Sequence, residues 1–188
     1  MWRSLLRLPP VAFVWGVVDT YNRLGVARAA AARGAEVTLV SGPTALKKPA
    51  YVETVDVVSA QDMFEAVTAR APEQDIIIKA AAVADYRPAQ VAQDKVKKGE
   101  GELSIPLERT RDILAWLGEH RRPGQFLCGF SMETRDMVEN SRRKLEKKHL
   151  DLIAANNLKE PGAGFAVPTN LLTLISPREE LELPLLTK

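Results

Sequence analysis

Along the chain, short runs of β-branched and aliphatic residues alternate with longer stretches in which apolar residues recur every three or four positions. The runs at 12–18, 36–41, 54–59, 75–79, 125–130, 151–155 and 171–175 predict strands. The stretches at 25–33, 61–70, 111–121 and 135–149 predict helices. In the run Asp75-Ile76-Ile77-Ile78-Lys79 successive positions are apolar, which suits a strand covered on both faces. Around the last helix, Met137, Val138, Leu145 and Leu150 are separated by charged residues at solvent positions. Alternation of this kind predicts a three-layer, Rossmann-like α/β domain with a mostly parallel sheet. No repeat, low-complexity tract or Gly/Ser linker divides residues 1–188, so a single domain is expected.

Composition narrows the partners. A hydrophobic fraction of 46% with 27% charged residues is that of an ordinary globular chain. A formal net charge of +2 gives no electrostatic case for nucleic acid or an anionic membrane, so an anionic ligand must be caught locally. The single cysteine, Cys128, excludes an internal disulfide and fits a reducing cytoplasm. It sits mid-strand beside Phe126 and Phe130, as a core residue does. His120 and His149 stand in no metal-ligand spacing. Arg3 and Arg7 precede an apolar run at 8–18 that superficially copies a signal peptide, but the run is too short to span a bilayer. A buried first strand in a cytoplasmic protein is the expectation.

In parallel α/β sheets ligands bind beyond the carboxyl ends of the strands, and the unusual composition of this chain sits there too. Lys79-Ala80-Ala81-Ala82 ends a predicted buried strand, and small residues there let a flat ring approach the backbone, though they equally suit close helix–sheet packing. Asp85, just past the strand end, suits ribose hydroxyls. The basic arm at 94–101, containing Lys95, reads either as a solvated loop or as a flap that neutralises phosphates. Thr110 and Asp112 mark a helix start with Thr110 at the cap, and a helix N-terminus helps hold an anion. Phe130, in Gly129-Phe130-Ser131-Met132-Glu133-Thr134, is either core or the wall of a base pocket. Lys144 and Lys148, four apart, share one helix face.

Taken in order, AAAVADYRP, KVKK, TRDI, GFSMET, the K-x-x-x-K-x-LDLI stretch and PGAGF before Asn170 form a series. That series resembles phosphopantothenoylcysteine synthetase, the synthetase half of the bacterial bifunctional coenzyme A flavoprotein. The resemblance implies an acyl-cytidylate ligase that joins phosphopantothenate to L-cysteine with CTP and Mg²⁺, in a homodimer. No FMN is implied, because the flavin-binding half has no counterpart here. By motif position, it puts Lys79, Ala80 and Ala81 beside the base, Asp85 at the ribose or phosphates, and Lys95 on the triphosphate. Arg111, Asp112, Ile113 and Leu114 take the place of the family's Pro-Asp-Ile-Val/Leu, and Phe130, Lys144 and Lys148 complete the pocket.

The family's substrate loop, with its Asn-x-Ser-Ser-Gly-Lys-Met-Gly segment, corresponds here to 19–25, where Asn22 is the remaining candidate for the catalytic asparagine. Residues 1–24 diverge from the family and its final helix has no counterpart, so impaired turnover is expected. Two other readings follow: a CTP-binding pseudoenzyme that keeps only the nucleotide half, and, more remotely, a short-chain dehydrogenase. Against the latter, the Gly-x-Gly-x-x-Gly turn and a Tyr-x-x-x-Lys pair are missing.

Overall fold

The structure is a computed structural model describing residues 11–16, 20–92, 94–96, 104–133, 135–157 and 169–187, with 11–16, 20–23 and 157 described by backbone alone. In chain order the elements are β1 (Val11–Gly16), α1 (Thr20–Ala31), β2 (Glu36–Ser41), β3 (Glu53–Asp56), α2 (Ala60–Arg70), β4 (Ile76–Lys79), β5 (Tyr86–Pro88) and β6 (Leu107–Arg109). They continue with α3 (Ile113–His120), β7 (Phe126–Glu133), α4 (Met137–Lys147), β8 (Leu152–Asn157), β9 (Thr169–Asn170), β10 (Leu172–Ile175), β11 (Glu180–Glu182) and β12 (Leu186–Thr187).

The main sheet has 8 strands in the order β11-β10-β8-β7-β4-β1-β2-β3. It is parallel from β3 to β8, and β10 and β11 add to it antiparallel. Two small ribbons, β5–β6 and β9–β12, stand apart from it. The chain runs outward from β1 through β2 to β3, then returns by α2 to β4 on the other side of β1. With right-handed crossovers, that reversal places α1 on one face and α2, α3 and α4 on the other.

The two cores follow. On the three-helix face Ile77, Leu127 and Ile153 of the sheet pack with Met63, Phe64 and Val67 of α2, Ile113, Leu114 and Leu117 of α3, and Leu145 of α4. On the α1 face Val37 and Leu39 pack with Leu24 and Ala27, joined by Ile76 and Ile78. The Ile76-Ile77-Ile78 run is thus apolar throughout because alternate side chains serve opposite cores.

Local chemistry explains the boundaries. The Ser59 hydroxyl accepts from the Asp62 N–H and the Asp62 carboxylate accepts from the Ser59 N–H, a capping box that starts α2. At α3 the cap is Asp112, whose carboxylate accepts the Ala115 N–H at 3.0 Å. Thr110, expected as the cap, is instead a tether: its hydroxyl donates to Ala84 O at 2.6 Å and its N–H to Asp85 O at 3.0 Å. Stretch 19–25 also departs from expectation, since α1 already begins at Thr20 and Asn22 lies inside it, not in a loop.

Candidate functional site

The topological switch falls between β1 and β4, where chain direction across the sheet reverses, and the carboxyl end of β4 is Lys79. Crevices at such points are where open α/β sheets bind ligands. Strand alternation is decisive here. Ile76 and Ile78 face α1, so Lys79 falls on the same face as Ile77, toward α3 and α4. Its ammonium donates to Ala81 O at 2.8 Å, folding the side chain back over the Ala80–Ala81 turn. Both alanines are buried, while Asp85 is exposed.

From just past the end of α4, Lys148 reaches Asp112 at the start of α3, Nζ to Oδ2 2.8 Å. The Asp112 carboxylate therefore does two things: one oxygen caps α3 and the other holds Lys148. Burial opposes its charge, but the Lys148 hydrogen bond, the Ala115 N–H and the nearby Lys79 outweigh it and lower its pKa. The backbone supports this meeting. A Cβ on Gly118 of α3 would lie 2.0 Å from the Lys148 carbonyl oxygen, so only glycine lets the two helices approach this closely. One turn earlier on α4, Lys144 donates to the Ser131 hydroxyl at 3.1 Å and lies 3.5 Å from Glu133 Oε1, and Ser131 donates to the same oxygen at 2.9 Å.

Lys79 feels the charges of Lys144, Lys148 and Asp112, so the three lysines share one neighbourhood, with Asp112 bonded to Lys148 and Glu133 to Lys144. Lys79 has only a neutral carbonyl, and its pKa falls to about 8, chiefly from burial and then from the Lys148 charge, partly offset by Asp112 and Asp85. A cluster of ammonium groups in which one has no bonded carboxylate suits a polyanion.

Other residues singled out from the sequence stand elsewhere. Ile113 and Leu114 are 2% exposed core residues, and their burial contributes roughly 1.5–3 kcal/mol each. Only their backbone N–H groups, at the start of α3, face outward. The Arg111 guanidinium lies over the Phe64 ring at 4.7 Å, anchored on α2. Phe130 alternates with Gly129 and Ser131 and so points to the opposite face, where it lines a cleft of about 250 Å³ with Gly25, Val26 and Ala29 of α1. It can serve the lysine side only through its backbone. Lys95 is exposed on the segment after β5, and the rest of the basic arm (97–101), like PGAGF, lies outside the described residues. Asn22 is placed by backbone only, within α1. Burial pushes the Cys128 thiol up to about 12, which agrees with a core role.

Ser131 and Glu133 were missed from sequence. Their signals were a polar pair two residues apart on one face of a strand end, and their place in the GFSMET motif. Among the described residues no three His, Cys, Asp or Glu side chains converge as a metal cage, and no helix is long and apolar enough to cross a membrane.

Comparison with known proteins completes the picture. The family model described as DNA/pantothenate metabolism flavoprotein C-terminal domain matches residues 23–188. The coenzyme A biosynthesis bifunctional protein CoaBC of Bacillus subtilis (strain 168) is 45% identical over 183 residues, covering 96% of this chain and 45% of that one. A cysteine/cysteine sulfinic acid decarboxylase from an unknown prokaryotic organism is 43% identical over 176 residues, covering 93% of this chain and 49% of that protein. This chain thus spans about half the length of the curated relatives it matches. Among solved structures, the C-terminal domain of CoaBC superposes with a TM-score of 0.76 at 38% identity, over 95% of this chain and 87% of that one. The chain belongs to the family of the DNA/pantothenate metabolism flavoprotein C-terminal domain, the family to which its ordered motifs pointed.

Proposed function

We propose that this chain is a CTP-dependent phosphopantothenate–cysteine ligase domain of coenzyme A biosynthesis, acting in the cytoplasm. The observation that carries this is the shared neighbourhood of Lys79, Lys144 and Lys148 at the carboxyl end of β4, in a member of this family. These lysines hold the triphosphate, and Lys95 approaches from the β5–β6 connection. The backbone at Ala80 and Ala81 reads the base edge. The substrate carboxylate attacks the α-phosphorus, pyrophosphate leaves, and the cysteine amine then displaces CMP from the acyl carbonyl. Lysine charge fixed in advance favours the departing pyrophosphate without reorganisation at the moment of reaction.

No preassembled cage is needed for Mg²⁺, which is commonly held by one or two carboxylates and substrate phosphates. Asp85, exposed beside Lys79, is the carboxylate in place for it. Bound there, the ion would neutralise phosphate charge. The ribbon β5–β6 presents exposed Tyr86 and Leu107, with exposed Ile105 just before it, apolar surface that supports a homodimer.

A second reading, CTP binding without ligation, is favoured by one observation: only 17–19 separate β1 from α1, so the family's substrate loop has no room there. The test is pyrophosphate release from CTP and phosphopantothenate, with and without cysteine, beside calorimetric titration of CTP. Release that depends on phosphopantothenate supports the ligase. CTP binding with no release selects the second reading, and a folded chain that binds no CTP rejects both.

A further inference from the structure

We propose that Glu133 is a positioning residue that, with Ser131, holds Lys144 extended toward the phosphate site; this rests on the nucleotide reading above. Ser131 and Glu133 project from the end of β7 toward α4, on the side where Leu114 and Leu150 approach Gly129. The Ser131 hydroxyl, 2% exposed, accepts from Lys144 and donates to Glu133, so the three groups form one directed chain. Glu133 Oε1 terminates both bonds, at 2.9 Å and 3.5 Å.

A free lysine has four rotatable bonds and is a poor anchor until ordered. Ordering it before the ligand arrives removes that cost from binding. The same chain accounts for the choice of residues. Lys148 is fixed by Asp112 and Lys79 by the Ala81 carbonyl. Without Glu133, Lys144 would keep only the Ser131 hydroxyl to orient it, while the other two ammonium groups repel it. The carboxylate carries charge of the same sign as a phosphate, but it is engaged by Lys144 and Ser131 on the strand side, so loss of order outweighs relief of repulsion.

The experiment is calorimetric titration of CTP and CMP into wild type, Lys144→Ala, Glu133→Ala, Glu133→Gln, Ser131→Ala and the double variant Glu133→Ala/Lys144→Ala, with thermal melts of each. Lys144→Ala weakens CTP about 10- to 100-fold, and Glu133→Ala weakens it about three- to tenfold. Glu133→Gln, which still accepts both hydrogen bonds, stays within about twofold. In the Lys144→Ala background Glu133→Ala has no further effect on CTP, because the residue acts through the lysine. CMP affinity moves little in all of them.

An equal, additive loss in the double variant makes Glu133 a structural residue and overturns the proposal. So does Glu133→Ala binding CTP as well as or better than wild type. If Glu133→Ala does not fold, Glu133→Gln and Ser131→Ala decide: the proposal needs Ser131→Ala to weaken CTP more than Glu133→Gln does. Unchanged CTP affinity in folded Lys144→Ala overturns the phosphate reading itself. Loss in Lys144→Ala with none in the Glu133 variants overturns this proposal alone.

Discussion

The two faces of the sheet are built differently. One is covered by three helices, and its core runs without a break from Val40 to Ile175. Among the described residues the other carries one helix, α1, over a small core of Leu24, Ala27, Val37 and Leu39, with an apolar cleft left beside it at Phe130. All the converging charge sits at the upper edge of the crowded face. Dense packing is what holds it there: three ammonium groups gathered in one place repel one another, and only rigid neighbours keep Lys148 on Asp112 and Lys144 on Glu133. The open face has no comparable groups among its described residues and no comparable support.

The strongest way to break this contrast is at the contact between α3 and α4. Gly118→Val puts carbon where the Lys148 carbonyl already stands at 2.0 Å, and backbone on both sides cannot rotate away. A loss of about 3–5 kcal/mol is expected, seen as a fall in Tm of roughly 10 °C or more. Wild-type stability in Gly118→Val would mean that the two helices are not pressed together as described.

Lys79 sharpens the contrast from the electrostatic side. Its pKa is lowered from the ordinary 10.5 to about 8, so the folded chain holds this proton less readily than the unfolded chain. Below about pH 8 both states are charged and the destabilisation is present in full. Between about 8 and 10.5 the unfolded state binds more protons, so stability attributable to Lys79 rises with pH through that window. Lys79→Met is therefore expected to be more stable than wild type at pH 7, by on the order of 3 kcal/mol, and to lose CTP affinity. Denaturant melts of both proteins from pH 7 to 10 check this: the gap closes as pH rises. A gap that stays constant would move the cause away from the lysine's charge.

On the open face, Phe130→Ala removes a partly buried ring from the cleft wall, for a loss of about 2 kcal/mol. CTP affinity should change less than about twofold, since the ring lies across the sheet from the lysines. A tenfold loss of CTP would show that the sheet does not separate the two. The smallest effect is expected at Arg111→Ala. Its guanidinium lies on Phe64, and losing that contact costs about 0.5–1 kcal/mol. CTP binding should be unaffected, and calorimetry beside a thermal melt reads both.

Alternation of short apolar runs with helical spacing was enough to read the layers and the parallel sheet, because periodicity follows from which side of an element is buried. Strand 36–41 matches β2 residue for residue, and the Ile76–Ile78 run was legible as doubly covered. Lys79, Lys144 and Lys148 could be named as candidates because they end a strand or share a helix face. Their grouping around Asp112 and Glu133 was not legible, since those contacts join β4, α3, β7 and α4 across long stretches of chain. Nor could spacing choose between Thr110 and Asp112 as the cap. Both are good capping residues, and the choice was made by the tether from Thr110 to Ala84. Phe130 and Arg111 teach the same point. Local sequence says that an aromatic or a cation lies near a strand end, but which face it takes depends on strand register and on what packs opposite, and those arise only when distant segments meet.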